Sequence, residues 1–289
     1  MNTITLTLQP AQAAKLYETF KEGQVPSTNQ YVRYMLKLEN CTITCYTSNK
    51  VVFQGSDAQV YASAFMDEKK LVVSKQPEAF QEHAGSDEVG TGDYFGPVVV
   101  AACIVKSKDL PWLQAENITD SKKLSDEYIL KIAPKLLQQL TYTILILNND
   151  KYNTVHQSNN LNAIKAKLHN QAYLNLSKKQ SLPKLVVIDQ FTPSKNYYQY
   201  LSQEPEVIGN IHFETKAESK YLAVACASII ARYAFLIKWQ EMEKRYAFTF
   251  HKGASSLVDQ DIQAFIKQFG YERLHEVAKL HFKNTPAKK

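Results

Sequence analysis

The sequence predicts an α/β domain that follows a smaller α+β domain. A length of 289 residues corresponds to about two domains of ordinary size. The first part of the chain combines short alternating strand patterns with two helical patterns, and the second part alternates apolar strand-like runs with amphipathic helices. We therefore divide the chain into an α+β domain at 1–66, a linker at 67–83 and an α/β domain at 84–289 with a helical C-terminal part.

The N-terminal domain is predicted mainly from period-two alternation. Residues 3–8 alternate threonine with apolar side chains, as in a half-buried strand. Residues 41–46 and 51–54 are predicted to form the two strands of a β-hairpin, with the polar segment 47–50 as its turn. The predicted order is β-α-β-β-β-α, built from segments 3–8, 10–20, 34–38, 41–46, 51–54 and 59–66.

One face of this small sheet is expected to stay open, and no catalytic constellation is visible in the domain. Two interpretations remain for it. It is either an accessory domain that grips a substrate or a structural or oligomerising module. The polar stretch at 67–83, which contains Pro77, is typical of a linker.

The composition is that of an intracellular globular protein. The chain is 45% apolar and 21% charged, and it is long enough to bury a core without disulfides. Its four cysteines follow no zinc spacing and are interpreted as reduced core residues: Cys41, Cys45, Cys103 and Cys226. There is no secretory signal pattern and no apolar run that approaches a membrane span. We expect a soluble, cytoplasmic protein that makes no membrane contact.

The net charge is +6, from 34 basic against 28 acidic residues. A mild basic excess is compatible with a nucleic-acid partner. A generic lysine-rich surface would give the same figure, so charge alone does not choose between these interpretations.

The stretch 84–97 is the most informative part of the sequence. It places two adjacent carboxylates, Asp87 and Glu88, before a glycine-rich turn that contains Gly90 and Gly92. The apolar run at 98–105 follows directly and indicates a buried strand. Carboxylates beside a buried strand are costly unless they are paired or bind a cation. The stretch therefore suggests a metal site, although an acidic pair alone is more often a solvated loop.

The rest of the larger domain alternates helices and strands. Ser125 is a plausible N-cap, with Asp126 and Glu127 in the first helical turn. Asn159 or Asn160 begins a second helix. The expected strands are 142–147, 184–189 and 207–213, and a long helical run rich in small residues occupies 221–232. Arg232, at the end of this run, is interpreted as a structural ion-pair partner rather than a catalytic group. Tyr94 is interpreted either as a stacking residue or as a packing residue, and packing is favoured.

Two further acids complete a candidate metal site. Asp189 ends a short apolar strand, and Glu218 lies close to the start of the helical run at 221–232. If the strands that carry Asp87 and Asp189 are neighbours, their backbones lie about 4.8 Å apart, and both carboxylates can reach two ions about 3.5–4 Å apart. Glu88 and Glu218 then complete an all-oxygen site, which suits Mg²⁺ or Mn²⁺.

Four sequence blocks together resemble the type 2 ribonucleases H, and specifically the ribonuclease HIII branch. The resemblance covers nearly the whole chain and includes the small N-terminal domain. The blocks, in order, are Gly-Ser-Asp-Glu-Val-Gly at 85–90, Thr-Asp-Ser-Lys-Lys-Leu at 119–124, Val-Ile-Asp at 187–189, and Lys-Ala-Glu-Ser-Lys at 216–220 with Ala-Ser-Ile-Ile-Ala at 227–231.

The resemblance implies a fold, an activity and a site. The fold is an RNase H-like domain with a mixed sheet flanked by helices, preceded by a domain similar to half of a TATA-box-binding protein. The activity is endonucleolytic cleavage of the RNA strand of RNA–DNA hybrids with two divalent ions, Mg²⁺ or Mn²⁺, leaving 5′-phosphate and 3′-hydroxyl ends. The protein is implied to be a monomer. The catalytic and metal-binding residues are Asp87, Glu88, Asp189 and Glu218.

The resemblance also implies substrate contacts. Residues in family segments near the substrate are Gly90, Thr91, Gly92, Lys122, Lys123, Lys216 and Lys252. Ribonuclease HII enzymes carry Gly-Arg-Gly where this chain has Gly-Thr-Gly at 90–92, which argues against efficient cleavage at single embedded ribonucleotides. The amides of this turn can contact ribose 2′-hydroxyls, the groups that distinguish RNA from DNA.

Two other functions compete with this prediction. One is a DNA-directed nuclease or strand-transfer enzyme on the same fold, against which the glycine turn and the Lys-Lys block argue. The other is a non-catalytic nucleic-acid-binding protein whose acids are structural, a reading that requires four costly carboxylates to converge without a metal.

Overall fold

The computed structural model describes residues 2–63, 65, 80–116, 118 and 124–287. The chain divides into two compact units, Met1–Glu78 and Ala79–Lys289. Most of the expected linker at 67–83 lies outside the described residues. Its last residue, His83, instead begins a strand of the second unit and is buried. The Nε2 atom of His83 accepts a hydrogen bond from the amide of Ala223, 3.1 Å away, which satisfies this buried ring nitrogen.

The N-terminal unit is an antiparallel five-stranded sheet with order β1-β5-β4-β3-β2 and two helices. Its elements are β1 Asn2–Thr7, α1 Pro10–Phe20, β2 Gln24–Val25, β3 Val32–Leu38, β4 Cys41–Tyr46, β5 Lys50–Gly55 and α2 Ala58–Ser63. The sequence prediction of four strands and two helices is confirmed. The two-residue strand β2, at the sheet edge, was not predicted because it is too short to show any periodicity.

Alternation along the strands divides this sheet into a buried and an open face. Alternate residues such as Leu36, Ile43 and Phe53 pack with α1 and α2 in one hydrophobic core. The intervening residues share the opposite face, which is rich in threonine: Thr3, Thr5, Thr7, Met35, Lys37, Thr42, Thr44, Lys50, Val52 and Gln54. Within this unit, the open face is therefore polar and carries two lysines.

The second unit is built on a mixed five-stranded sheet with order β10-β9-β6-β7-β8. β9 pairs in parallel with β6 and β10, whereas β7 pairs antiparallel with β6 and β8. The strands are β6 His83–Val89, β7 Val98–Val105, β8 Thr141–Leu147, β9 Leu185–Asp189 and β10 Ile211–Glu214. The predicted strand at 207–213 is thus shorter at its start and begins at Ile211.

Helices cover both faces of this sheet. They are α3 Leu110–Ala115, α4 Asp126–Gln139, α5 Asn149–His156, α6 Leu161–Lys179, α7 Ser194–Tyr200, α8 Leu222–Tyr246 and α9 Ser256–Phe269. The predicted N-caps are present, because Ser125 Oγ accepts from the amide of Tyr128 and Asn160 Oδ1 accepts from the amide of Ala163. The predicted α/β fold class is confirmed.

The apolar run of β7 is explained by the two cores that it separates. Every residue of β7 is buried. Val99 and Ala101 join the core with α4 and α8, while Val100 and Ala102 join the core with α6 and α7. A strand buried on both faces needs a continuous apolar sequence rather than an alternating one.

Helix α8 crosses the sheet at very close range. A Cβ atom on Gly85 would lie 2.3 Å from the backbone nitrogen of Val224, so only glycine allows this approach. The sequence analysis expected no segment that resembles a membrane span, but α8 is long and apolar enough to cross a membrane. In its most apolar stretch 72% of the helix is buried inside the protein, which accounts for its composition as that of a core helix.

Candidate active site

The sheet places two of the predicted acids side by side. In the parallel β6–β9 pair, Ser86 lies opposite Ile188, so Asp87 and Asp189 are the next residues of the two strands. A cleft of about 460 Å³ opens at this point. Its lining consists of Asp87, Glu88, Val89, Gly90, Thr91, Gly92, Asp189, Ser228 and Arg232.

Asp87 is held in an environment that favours its protonated form. Its Oδ1 accepts a 2.8 Å hydrogen bond from the amide of Glu88, and the hydroxyl of Ser228 donates a further one. Burial, followed by the nearby charge of Glu88, raises the pKa of Asp87 to about 8. Two hydrogen bonds therefore do not offset the cost of an ionised carboxylate here, and a cation would.

Glu88 has the opposite environment, although it is the next residue. Lys165 forms an ion pair with Oε1, and Nε2 of His169 donates to Oε2 at 2.9 Å. Burial alone would raise the pKa of Glu88, but the hydrogen bonds and charges of His169 and Lys165 lower it below its ordinary value. Each carboxylate oxygen retains a second lone pair, so Glu88 can still accept another ligand.

Lys165 and His169 are fixed by a buried second layer. They lie four residues apart and therefore on one face of α6. Nδ1 of His169 lies 2.7 Å from Oγ of Ser86, and the ring of Phe191 stacks near His169 with 5.4 Å between centroids. Nζ of Lys165 lies 3.9 Å from the centroid of the same Phe191 ring. One aromatic ring thus supports both partners of Glu88.

Asp189 and Glu218 are linked through the backbone. The amide of Ala217 donates to Oδ1 of Asp189 at 2.9 Å, which fastens the 3₁₀ turn Ala217–Ser219 to the end of β9. Glu218 lies in this turn, is 8% exposed and is not part of the cleft lining. In the part of the chain that the structure describes, no group of three or more acidic, histidine or cysteine side chains is arranged to hold a metal ion.

The chemistry of the donors nevertheless fits a divalent cation. The cleft offers carboxylate oxygens from Asp87, Glu88 and Asp189, and oxygen ligands are those that Mg²⁺ and Mn²⁺ prefer. The charges of Glu88 and Asp189 both raise the pKa of Asp87. A cation bound here would relieve that repulsion.

Only some of the residues predicted to contact the substrate line the cleft. Gly90, Thr91 and Gly92 line the cleft, and the positive φ of 91° at Gly90 excludes most other residues, since its Cβ would lie 2.2 Å from the carbonyl oxygen of Pro97. Lys216 is exposed directly before Ala217. Lys122 and Lys123 lie outside the described residues.

Two basic side chains share one acid at the rim of the cleft. Arg232 pairs with Asp126 at 2.6 Å, as predicted for a structural partner, but it also lines the cleft. Lys252 pairs with the other oxygen of Asp126 at 2.8 Å and remains 43% exposed. Tyr94 is fully buried and packs against Phe95 and Phe282, in agreement with its predicted packing role.

Sequence reasoning missed several residues of the site. Lys165 and His169 left one signal, a basic residue and a histidine at i and i+4, which is also the pattern of an ordinary polar helix face. Ser228 lies in the family block at 227–231, but the sequence assigned it no role. Lys279, discussed below, lies in a polar C-terminal segment and gave no signal.

Comparison with known proteins agrees with this architecture. The Ribonuclease HII family profile matches residues 84–285, and a second profile, Domain of unknown function (DUF3378), matches residues 3–78. The chain is 42% identical to ribonuclease HIII of Lactococcus lactis subsp. cremoris (strain SK11), over 98% of this chain and 96% of that protein. It is 39% identical to ribonuclease HIII of Bacillus cereus (strain AH187), over 98% and 97%.

A solved structure extends the likeness to three dimensions. The crystal structure of Bst-RNase HIII in complex with Mn²⁺ matches with a TM-score of 0.71 and 33% identity, over 98% of this chain and 97% of that one. Family profile, curated relatives and structure therefore agree over both units, and the chain belongs to the ribonuclease HIII branch of the type 2 ribonuclease H family.

Proposed function

We propose that this protein is an endoribonuclease that hydrolyses the RNA strand of RNA–DNA hybrids with two divalent metal ions, leaving 5′-phosphate and 3′-hydroxyl ends. The observation that carries the proposal is the parallel pairing of β6 and β9, which brings Asp87 and Asp189 together in a cleft lined by Gly90–Thr91–Gly92. Similarity to a ribonuclease HIII solved with Mn²⁺ supports the use of a divalent ion.

Asp87 and Asp189 would hold the ions, with Glu88 and Glu218 completing the oxygen ligands. When bound, the ions would activate water for in-line attack and stabilise the leaving 3′-oxygen. Ser228 and the amide of Glu88 orient Asp87, and the amide of Ala217 orients Asp189. Lys165 and His169 keep Glu88 ionised and fixed. No side chain needs to act as a nucleophile.

Substrate contacts follow from the surfaces around the cleft. Amides of Gly90, Thr91 and Gly92 would contact ribose 2′-hydroxyls, and Gly92 has open space around its Cα for a close approach. The exposed ammonium groups of Lys216 and Lys252 would contact phosphates, as would Lys122 and Lys123. The open face of the N-terminal sheet, with its threonines and lysines, would grip the same substrate.

One gel tests the reaction. Wild type and Asp87→Asn are incubated with an RNA–DNA hybrid, the matching DNA duplex and a DNA duplex that carries one ribonucleotide, each with Mg²⁺, Mn²⁺ or chelator. We expect metal-dependent cleavage of the hybrid by wild type and none by Asp87→Asn, while the exposed control Glu127→Gln cleaves normally. Cleavage of the DNA duplex would favour the DNA-directed nuclease, and binding without any cleavage would favour the non-catalytic alternative.

The role of the N-terminal unit is tested by binding. The double variant Lys37→Ala, Lys50→Ala removes both lysines of the open face and should raise the Kd for the hybrid while leaving kcat unchanged. The dependence of log Kd on log salt should also become shallower, because fewer counterions are released. An unchanged Kd would assign the domain to the structural alternative. We further propose that the protein acts in the cytoplasm and that it is a monomer. Sedimentation at several concentrations would test the monomeric state.

A further inference from the structure

Lys279 is the most deeply buried lysine among the residues that the structure describes, with 0% exposure. It lies in the segment 277–285, here called the C-terminal strap, which follows the 3₁₀ turn Tyr271–Glu276. Its Nζ donates to the carbonyl oxygens of Asp93 at 2.6 Å, Gly96 at 2.5 Å and Phe95 at 3.3 Å. A lysine ammonium has three donors, and here all three have an acceptor.

The three carbonyls belong to the glycine loop, residues 90–96, whose first part lines the cleft. The strap holds the second part of this loop by its backbone as well. The amide of Gly96 donates to Val277 O and the amide of Lys279 donates to Tyr94 O, both at 2.9 Å, and Phe95 pairs with Ala278 as an isolated β-bridge. The grip therefore begins at Asp93, the residue directly after Gly92.

Other parts of the unit hold the loop and the strap in place. The amide of Gly253 donates to Oδ1 of Asp93 at 2.6 Å. Asn149 on α5 donates to Gly96 O at 2.9 Å, and Asn153 on the same helix holds the strap by bonding Ala278 O and the amide of Leu280, both at 2.9 Å. Lys279 is thus the centre of an arrangement in which helix, strap and loop are joined by directional bonds.

A fully buried position such as residue 279 is ordinarily occupied by an apolar side chain. An apolar side chain would leave the converging carbonyls of Asp93 and Phe95 without this donor, and unsatisfied buried carbonyls are costly. The backbone of the loop is closely packed at Gly90 and Gly96, because a Cβ there would meet Pro97 O or the Trp239 ring. Lys279 supplies donors to the carbonyls of this closely packed loop.

We propose that Lys279 is a positioning residue that fixes the glycine loop and so sets the discrimination between ribose and deoxyribose at the cleft. This proposal rests on the proposed function, since it assumes that amides at 90–92 contact 2′-hydroxyls. It adds to that function a residue far along the chain that touches neither substrate nor metal. Small displacements of positioning groups have large effects on catalysis, on the order of 100-fold for about 1 Å.

The test compares Lys279→Met, which keeps the length of the side chain and removes its donors, with the exposed strap control Lys283→Met. Each protein is assayed on an intact hybrid and on hybrids with a single 2′-deoxynucleotide at successive positions. Wild type and the control should show a position-specific loss of kcat/KM. Lys279→Met should lose about 10- to 100-fold on the intact hybrid and should show a flattened positional profile. A profile of wild-type shape, shifted uniformly, would overturn the proposal.

Hydrogen exchange provides a readout that needs no substrate. The amides of Gly96 and Lys279 should exchange faster in Lys279→Met, while amides of the N-terminal sheet keep their wild-type protection. Unchanged protection at Gly96 would equally overturn the proposal. If Lys279→Met does not fold, Asn153→Ala loosens the strap with Lys279 still present and should change the same amides and the same positional profile, to a smaller extent. If wild type cleaves no hybrid, the proposed function fails. Hydrogen exchange at Gly96 then tests only whether Lys279 fixes the glycine loop.

Discussion

Two buried lysines in the same unit have different partners for their ammonium groups. Lys165 is 8% exposed and forms an ion pair with Glu88 over the ring of Phe191. Lys279 is 0% exposed and donates to three backbone carbonyls. Burial lowers the pKa of Lys279 to about 7, and the charge of Asp93 opposes the shift only in part. The carbonyl dipoles therefore do not fully offset the cost of burying this charge.

The difference corresponds to different roles. The ion pair of Lys165 keeps a carboxylate charged at the cleft, where charge is needed for the proposed metal chemistry. The carbonyls around Lys279 need a donor rather than a charge, because the function of that site is to hold backbone in place. Variants at the two sites should therefore differ in stability, in pH dependence and in their response to second-site changes.

Removal of the Lys165 charge should give the largest effect on stability. Lys165→Met leaves Glu88 buried with only His169, and breaking such a pair should lower the free energy of unfolding by about 3 kcal/mol. Urea unfolding at pH 7 measures the loss. The second-site change Glu88→Gln should recover most of it, since the orphaned charge is then gone. No recovery in the double variant would mean that Lys165 stabilises by packing of its stem.

The contribution of Lys279 to the free energy of unfolding should depend on pH. The folded-state pKa of Lys279, about 7, lies below the ordinary lysine value of 10.5, so between these values the unfolded chain binds more protons. The free energy of unfolding should therefore rise with pH in this window, and the full penalty should be present below pH 7. Relative to Lys279→Met, wild type should gain about 2 kcal/mol between pH 7 and pH 9.

The matched comparison is the difference between wild type and Lys279→Met in urea unfolding at several pH values. A difference that does not change with pH would show that the three carbonyls keep the ammonium charged. In that case the carbonyl dipoles would have offset the cost of burying the charge of Lys279.

How far the sequence predicted this molecule depends on whether an interaction is local. The strand that ends at Asp189, the cap at Ser125 and a cap at Asn159 or Asn160 follow from an apolar run and capping patterns, and the structure has them. That the strands of Asp87 and Asp189 are neighbours was a supposition, and the parallel pairing of β6 and β9 supplies it. Lys165 contacts Glu88 from a separate helix 77 positions later in the chain. No pattern within one segment contains such a pairing.

The same reasoning explains the strap. Lys279 stands in a polar segment with His281, Lys283 and Asn284 nearby, a composition typical of an exposed terminus. Its burial results from carbonyls of residues 93–96, which the sequence cannot show to converge. The metal-ligand set remains a prediction, and Glu218, expected to face the site, is buried beside it.

A smaller effect is expected from the second partner of Glu88. His169→Gln preserves a donor for Glu88 but removes the contact with Ser86 and the stacked ring, and it should cost about 1 kcal/mol in unfolding free energy. The matched control is His212→Gln, because His212 is 44% exposed beside Glu214. The control should have no measurable effect on stability. A loss at His169 as large as that of Lys165→Met would instead make the histidine the main partner.

The smallest predicted effect concerns the ring beneath Lys165. Phe191→Leu keeps an apolar side chain in place but removes the aromatic face that lies 3.9 Å from Nζ, and a cation–π contact contributes on the order of 1 kcal/mol. The loss should be smaller by this amount when the same change is made in Lys165→Met, because no cation remains above the ring, whereas the packing of the ring on His169 is lost in both backgrounds. The pair of exposed Lys179 and half-buried Tyr142 provides the control, with 5.2 Å between Nζ and the ring centroid: Tyr142→Leu should change stability equally with and without Lys179→Met. An equal loss from Phe191→Leu in both backgrounds would assign the ring to packing, and Lys165 would then depend on Glu88 alone.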